Sequence, residues 1–338
     1  MAARTHDPEA DDRSEAPLLA VKDLRLGFPS ESGLALAANG VNLTVRKGEV
    51  LGLVGESGSG KSVTCRAILG MVPHPGAILE GRIEYDGRNL LDLSPSEMRE
   101  VRARETAMIF QDPASSLNPV FTIGYQISEV LRHNMGFDRS AAAARSLELL
   151  DRVGIPAPEQ RMKAYPHEMS GGMRQRVMIA MALAGEPRLL LADEPTTALD
   201  VTIQDQVLRL LNDVRRERNM SMILVSHDMG VIGQMADRVA VMYAGRIVEV
   251  GPVEQIFGNA DHPYTRALIE AVPQLMPDEE VQLRTIPGQP PDLLALEPGC
   301  PFAPRCELAR EACGEVSMDL TEVRAHQLSA CPFARSEM

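Results

Sequence analysis

The chain has 338 residues, of which 44% are hydrophobic and none is Trp, and its formal net charge is −13. This length allows one large or two medium globular domains, and the negative charge argues against a nucleic-acid-binding surface, which needs a basic face. The longest apolar stretches, such as VMIAMALAG, reach about half a membrane span. Since no charged-then-apolar leader opens the sequence, we expect neither a transmembrane helix nor a secretory signal.

The N-terminal half of the chain predicts a tail followed by an α/β domain. Residues 1–16 contain five acidic residues, two Arg and few side chains to bury, so we expect a disordered tail. From Leu18 to about Gly258 short β-rich runs alternate with helical ones, which predicts an α/β domain over 17–258 with a largely parallel sheet. The predicted strands lie in GEVLGLVG, TAMIFQ, RLLLADE, SMILVSH and RVAVMYAG.

Helical signals are strongest in two places. In SPSEMREVRAR, Ser94 is placed as N-cap, Pro95 occupies the first helical position, and Glu97 completes a capping box. From about 113 to 185 the pattern is mostly helical without a convincing strand, so we predict a helical subdomain inserted in the α/β core.

The amino-acid composition of the sequence changes after residue 258. Residues 273–304 contain eight prolines, too many for regular structure. We therefore predict a small, loop-rich C-terminal extension over residues 259–338.

The segment GESGSGKS, residues 55–62, fits the pattern G-x-x-x-x-G-K-[ST] between a predicted strand and a predicted helix. Glycine backbone can wrap phosphates with its N–H groups, and the helix that follows points its positive end at them. Lys61 is expected to reach the β- and γ-phosphates and Ser62 to bind Mg²⁺; a tight turn without a ligand is the plainer alternative, but it leaves this Lys-Ser pair unexplained. The predicted ATP-binding residues of the loop are Gly55, Ser57, Gly58, Ser59, Gly60, Lys61, Ser62 and Val63.

A second segment, RLLLADEP at residues 188–195, predicts a buried strand that ends in two carboxylates. We expect Asp193 to hold the Mg²⁺ shell and Glu194 to accept a proton from water. One carboxylate for the metal and one for water indicate hydrolysis rather than nucleotide binding alone. The competing interpretation is a strand that ends in two solvated acids.

Further motifs complete a resemblance to ABC ATPases. SGGMRQR, within residues 168–176, resembles the LSGGQ-type signature of that family, with Met169 where Leu is usual, a nearly volume-conserving change. Gln111 in IFQDP resembles the Q-loop, TALD at 197–200 the D-loop, and His227 in LVSHD the switch histidine. These motifs occur in the family's order, so the fold expected from the resemblance is an ABC-type P-loop ATPase core with a helical subdomain.

The resemblance implies a partner ATPase. In that family the signature Ser and glycines, here Ser170, Gly171 and Gly172, press on the γ-phosphate of ATP held by the opposing subunit. Bare glycine backbone at a helix N-terminus suits such an approach to an anion. A loop that merely begins a helix is the alternative interpretation of these residues.

The resemblance also implies roles for four other residues. Gln111 would contact Mg²⁺ or the attacking water, His227 would bind the γ-phosphate, and Asp200 would link the two active sites across the dimer. Phe28 occupies the position of an aromatic that often stacks on adenine in the family, although a core Phe at a strand end is the alternative.

Within this family the chain resembles the ATPases of oligopeptide/dipeptide importers and their nickel-carrying relatives, as the D-type subunit. The resemblance rests on QDPASSLNPVFTIGYQISE, HPYTRAL and TIPGQPPDLLALEPGCPFAPRC. It implies a peripheral protein at the cytoplasmic face of the membrane, with a second ATPase, two permeases and an extracytoplasmic substrate-binding protein as partners. The permease is expected to dock between Gln111 and Arg132. Import of nickel or another solute, and a redox-regulated ABC ATPase, are the alternative functions.

The C-terminal extension carries four of the five cysteines. None of these four makes a C-x-x-C pair, whereas CPF occurs twice, and Cys followed by Pro recurs in iron–sulfur ligation. Some members of the resembling subfamily hold a [4Fe-4S] cluster here, so we predict a structural cluster; zinc, free thiols or disulfides are the alternatives. The fifth, Cys65, is predicted to be a buried packing residue. The predicted cluster ligands are Cys300, Cys306, Cys313 and Cys331.

Overall fold

The computed structural model describes residues 16–112, 116–197, 199–272 and 285–334, and these contain two β-sheets. The predicted tail, except for its last residue, and part of the proline-rich segment lie outside the described residues. The strands are β1 Leu19–Ser30, β2 Gly33–Val45, β3 Val50–Val54, β4 Ala77–Tyr85, β5 Arg88–Asn89, β6 Thr106–Ile109, β7 Leu189–Asp193, β8 Ser221–Val225, β9 Arg238–Tyr243, β10 Arg246–Pro252, β11 Thr321–Arg324 and β12 Gln327–Ser329.

The larger sheet has the strand order β11-β12-β10-β9-β3-β8-β7-β6, and the five strands from β9 to β6 are parallel. Strands β3, β7 and β8 are buried at every position, because helices and the second sheet cover both faces. Alternate residues of β8 therefore enter different cores: Met222 and Leu224 face one, while Ile223 and Val225 face the other. The predicted parallel sheet is confirmed for these five strands.

The second sheet is antiparallel, with four strands in the order β2-β1-β4-β5, and the sequence analysis missed it. Its strands β1 and β2 form a long hairpin whose ends close at Ser30 and Gly33. Leu24, Leu26 and Val41 from this hairpin pack on the larger sheet and on helix α1. The hairpin was missed because its register shifts interrupt a strict period of two.

Helices cover the larger sheet, and those between β6 and β7 form a helical region without a strand in its described residues. The capping box predicted for α2 is present, since the Ser94 side chain accepts from Glu97 N–H and the Glu97 side chain accepts from Ser94 N–H. No described helix is long and apolar enough to cross a membrane. The helices are α1 Lys61–Ile68, α2 Pro95–Arg104, α3 Ile123–Met135, α4 Arg139–Arg152, α5 Pro158–Arg161, α6 Gly171–Ala184, α7 Val201–Arg218, α8 Met229–Met235, α9 Val253–Gly258 and α10 Pro263–Glu270.

The C-terminal extension folds back onto the larger sheet. Strand β12 pairs antiparallel with β10 and β11 pairs with β12, so the extension contributes the last two strands at this end of the sheet. The buried Glu249 of β10 accepts hydrogen bonds from the backbone N–H groups of Asp261 (2.7 Å) and His262 (3.0 Å) and from Gln327 Nε2 (2.7 Å). The extension is therefore tied to the core by backbone pairing and by a buried carboxylate, which its loop-rich sequence did not predict.

Candidate active site

The loop between β3 and α1 is shaped by glycines. Gly55 has φ 148°, and a Cβ there would lie 2.1 Å from the Met242 carbonyl oxygen. Gly60 has φ 106°, and a Cβ there would lie 2.1 Å from the Ala37 carbonyl oxygen. Neither position can hold another residue without moving backbone, so the loop depends on glycine for its course. Gly58, by contrast, faces open space, with no atom within 4 Å of an added Cβ.

Lys61 begins helix α1 with its side chain folded back over this loop. Its Nζ donates to the carbonyl oxygens of Gly55 and Glu56, both at 2.8 Å, and lies 3.3 Å from Ser59 Oγ. Burial lowers the Lys61 pKa, and the carboxylates of Glu194 and Asp193 oppose that shift. A buried ammonium that has only neutral oxygens as direct partners is well placed to bind an anion such as phosphate. Two other predicted residues flank it: Ser57 is exposed, and Val63 packs partly against the core.

Asp193 lies at the end of β7, next to Ser62 of α1. The Ser62 hydroxyl donates to Asp193 Oδ1 at 2.9 Å, while Oδ2 is buried without a hydrogen-bond partner. Burial raises the pKa of Asp193, and the Ser62 hydrogen bond only partly offsets the shift. A hydroxyl beside a carboxylate with a free buried oxygen is a donor set suited to Mg²⁺, so these residues fit the predicted ion.

Glu194 collects three side chains around its carboxylate. Gln111 Nε2 donates to Oε2 at 3.1 Å, Thr197 Oγ1 donates to the same oxygen at 2.9 Å, and His227 Nδ1 lies 3.2 Å from Oε1. Burial alone would raise the Glu194 pKa, but the hydrogen bonds from His227 and Thr197 and the nearby positive charges bring it below its ordinary value. The carboxylate is thus kept ionised, as a general base requires. The sequence analysis placed Thr197 in the D-loop motif TALD but gave its hydroxyl no role.

The signature-like segment SGGMRQR begins helix α6. Ser170 is its N-cap and accepts from the Met173 N–H at 3.3 Å, and an added Cβ on Gly171 would meet no atom within 4 Å. Within the described part of the chain, no hydrogen bond or ion pair joins Ser170 to the Lys61 and Glu194 cluster. The helix start has backbone N–H groups without partners inside the helix and is not joined to this chain's own hydrogen-bonded cluster. Met169, the departure from the family pattern, is buried in the core.

The remaining predicted nucleotide contacts lie outside the cluster. Asp200 is exposed and caps helix α7, accepting from the Ile203 N–H at 3.1 Å. Phe28 is half-buried and packs closely on Gly76, where an added Cβ would lie 2.4 Å from the ring. This packing accounts for Phe28 without a ligand, and its role in binding adenine stays a prediction.

The four extension cysteines line one cavity together with His262 and Phe302. Burial, and the proximity of Cys331 and Cys313, raise the Cys300 pKa to about 11. Among the described residues, however, no three His, Cys, Asp or Glu side chains form a group able to hold a metal ion. The arrangement of the described side chains therefore does not support the [4Fe-4S] cluster, which stays a prediction. Cys65 is fully buried and its pKa is raised by burial, which agrees with the predicted packing role.

The cluster of Lys61, Ser62, Asp193, Glu194 and His227 brings together a glycine-rich loop, a hydroxyl–carboxylate pair and a glutamate in contact with a histidine. This combination defines a P-loop nucleoside triphosphatase.

Comparisons with known proteins agree with this class. The family model described as ABC transporter matches residues 38–197, and the model of the oligopeptide/dipeptide transporter C-terminal region matches residues 248–313. The oligopeptide transport ATP-binding protein OppD of Haemophilus influenzae is 50% identical over 315 residues, covering 93% of this chain and 97% of that protein. OppD of Bacillus subtilis is 52% identical over 293 residues, covering 86% and 82%.

The fold is likewise similar to a solved ATP-binding cassette. The dimeric, post-hydrolysis structure of MJ0796 bound to ADP and Pi has a TM-score of 0.65 and 26% identity, covering 70% of this chain and 98% of that one. The chain therefore belongs to the ABC transporter family, in the branch of the oligopeptide transport ATP-binding proteins, and its enzymatic activity is ATP hydrolysis coupled to transport.

Proposed function

We propose that this chain is the D-type ATPase subunit that powers import of di- and oligopeptides through a membrane permease. The observation that carries the proposal is the convergence of Ser62, Asp193 and Glu194 beside the phosphate loop. That cluster supplies hydrolysis, and the similarity to OppD proteins along most of the chain supports the peptide substrate. Nickel or another small solute is less favoured, because the similar proteins named above carry oligopeptide names.

Each residue of the cluster has a task in the proposed reaction. The P-loop N–H groups and Lys61 would bind the phosphates, while Ser62, Asp193 and Gln111 would hold Mg²⁺, which would supply positive charge to offset that of the triphosphate. Glu194 accepts the proton of the attacking water, and His227 orients the γ-phosphate and Glu194 together.

A second ATPase completes the reaction chamber in this proposal. The exposed Ser170, the open backbone at Gly171 and the next residue, Gly172, would contact the γ-phosphate held by the partner, with Asp200 close to the interface. ATP then joins the two subunits, and hydrolysis releases them. Because OppD is one named subunit, we propose a heterodimer with a different ATPase rather than two copies of this chain.

The permease is proposed to dock on the helical region. Val120, Phe121 and Tyr125 are large hydrophobic side chains that are 68%, 42% and 47% exposed, and the two rings stack with centroids 4.7 Å apart. They lie within the predicted docking segment between Gln111 and Arg132. An exposed apolar group in the segment that begins at Gln111 is a suitable surface for the permease, whose movement Gln111 would relay to Glu194. Two permeases and an extracytoplasmic binding protein complete the proposed transporter, with this chain peripheral at its cytoplasmic face.

The cysteine cavity is proposed to hold a structural [4Fe-4S] cluster. Support comes from four thiols lining one cavity in a segment with little core of its own, which a metal centre would hold together. A cluster that instead senses redox state and gates assembly is the alternative. Since thiolates are the ligands and the Cys300 pKa is about 11, loading would release protons.

Replacement of Glu194 by Gln tests the proposed function. Glu194→Gln should lower ATP hydrolysis by about a hundredfold or more, because the general base is lost, and it should trap an ATP-bound dimer and stop peptide uptake in the assembled transporter. Glu100→Gln, an exposed change on α2, is the matched control and should leave all three unchanged. Continued peptide uptake by Glu194→Gln, with no other ATPase replacing it, would overturn the proposal.

A further inference from the structure

The C-terminal extension hydrogen-bonds the phosphate loop at Glu56. The Glu56 backbone N–H donates to Tyr264 Oη at 2.8 Å. Its carboxylate accepts two hydrogen bonds from Arg305, from Nη1 to Oε2 at 2.6 Å and from Nη2 to Oε1 at 2.9 Å. Tyr264 and Arg305 both belong to the extension, so its segments on either side of residues 273–284 meet at this single loop residue.

Arg305 is itself held in place by its surroundings. Its side chain is 5% exposed, its Nε donates to the Pro287 carbonyl oxygen at 2.7 Å, and its Nη1 reaches Tyr243 Oη at 3.1 Å. The guanidinium carbon also lies 5.9 Å from the ring centroids of both Tyr243 and Phe302. A guanidinium fixed on three sides presents its remaining fork to the carboxylate at little further cost in entropy.

The charge of Glu56 makes its contacts with Tyr264 and Arg305 relevant to nucleotide binding. Glu56 lies in the loop that must receive the anionic triphosphate, and its carbonyl oxygen accepts from Lys61 Nζ at 2.8 Å. A free carboxylate here would repel the phosphates and compete with them for Lys61. The bidentate pair with Arg305 neutralises that carboxylate, and Lys61 Nζ bonds the Glu56 carbonyl oxygen instead of its carboxylate, while Tyr264 fixes the backbone of the same residue.

We propose that Arg305 is a positioning residue of the ATPase, which together with Tyr264 holds Glu56 so that the phosphate loop is preformed and its carboxylate is neutralised before ATP arrives. The C-terminal extension is in this way a part of the nucleotide site. The inference goes beyond the proposed function, because it concerns the nucleotide affinity of this chain and needs neither permease nor peptide.

A set of three variants tests the charge argument. We expect Arg305→Gln to weaken binding of a fluorescent ATP analogue about tenfold, since it leaves the Glu56 carboxylate unpaired in the loop. Glu56→Gln alone should change the dissociation constant less than about twofold, because it removes the repulsive charge together with the pair. The double variant should then bind as Glu56→Gln does. In the assembled ATPase the same order should appear in KM for ATP, with kcat little changed.

A scaffold role for Arg305 makes a different prediction. If Arg305 only stabilised the extension, the double variant would stay as weak as Arg305→Gln, and this result would overturn the proposal, as would unchanged affinity in Arg305→Gln. Arg324→Gln is the matched control in the same extension, because Arg324 bonds the Asn259 carbonyl oxygen instead of the loop, and it should keep wild-type affinity. Thermal unfolding of every variant separates folding from binding.

Tyr264→Phe is an independent test of the proposal, because this variant lacks only one hydroxyl. It deletes the acceptor of the Glu56 N–H and leaves the ion pair in place. We expect a severalfold loss of ATP affinity at nearly unchanged melting temperature. Should Arg305→Gln fail to fold, Tyr264→Phe decides alone, and wild-type affinity in it would contradict the proposal.

Discussion

Where the core meets the C-terminal extension, His262 has a pKa far below the ordinary value for histidine. It is 1% exposed, and its Nδ1 accepts from the Tyr264 N–H as the cap of helix α10. Burial first, and the charge of Arg266 second, lower its pKa from 6.5 to about 3. The ring therefore stays neutral in the folded protein at any pH at which the protein is handled.

This shift predicts a pH-dependent loss of stability. Between pH 6.5 and about 3 the unfolded chain binds a proton at His262 that the folded chain does not, so stability falls as pH falls. At pH 4.5 the loss should be about 3 kcal/mol. His262→Asn, which can still cap α10, should gain that amount relative to wild type between pH 8 and pH 4.5, measured as free energy of unfolding in urea.

His133→Asn is the matched control for this experiment. The His133 side chain is 77% exposed, so its variant should track the wild type within about 0.5 kcal/mol at both pH values. An identical stability difference between His262→Asn and wild type at pH 8 and pH 4.5 would show that His262 titrates normally in the folded state.

Among the structural elements, the loops at the carboxyl ends of parallel strands build the site. The strand β3 leads into the phosphate loop and β7 leads into Asp193 and Glu194. The extension is a different kind of element, since it adds edge strands to the sheet, forms the cysteine cavity and reaches Glu56. Its contribution to stability should depend on what the cavity holds.

The proposed cluster predicts a metal-dependent extension. Anaerobically purified protein should be brown and contain about four iron atoms per chain, and Cys331→Ser should lose both colour and iron. Removal of the metal by a chelator should lower the melting temperature and expose residues of the extension to protease, because the metal no longer links the four cysteines.

Cys65→Ala is the control for that experiment, since Cys65 lies in the core beside α1 and outside the cavity. It should retain the full iron content. A colourless, iron-free anaerobic preparation would remove the cluster from the account, and zinc in its place would leave the structural role with a different metal.

Sequence motifs predicted the side chains of the proposed catalytic cluster, which the structure brings close together, but not the way the elements support it. Lys61, Ser62, Asp193 and Glu194 were predictable because strand-to-loop motifs place such residues at one sheet edge. The antiparallel sheet was not, since its hairpin lacks a regular alternation, and neither was the Arg305 contact with Glu56, which joins residues 249 positions apart. Contacts of such long range follow from the packing of whole elements, and a local pattern carries no signal for them.

At the scale of the whole molecule, we propose that this chain supplies only part of each ATP-hydrolysing site and that a second ATPase subunit supplies the rest. In the proposed site Lys61, Asp193 and Glu194 bind and activate the nucleotide, while the exposed Ser170 at the start of α6 shares no hydrogen bond or ion pair with them among the described residues. The solved cassette to which the fold is similar is a dimer. The two features together support the proposal that the signature segment acts on nucleotide held by a second ATPase subunit.

The most direct test is the rate of ATP hydrolysis per chain, compared between a strictly monomeric preparation and the assembled complex. The account predicts that the monomer binds ATP but hydrolyses it far more slowly than the complex, and that the rate per chain rises as the subunits associate. A monomer that hydrolyses ATP as fast as the complex, with a rate per chain independent of concentration, would contradict it.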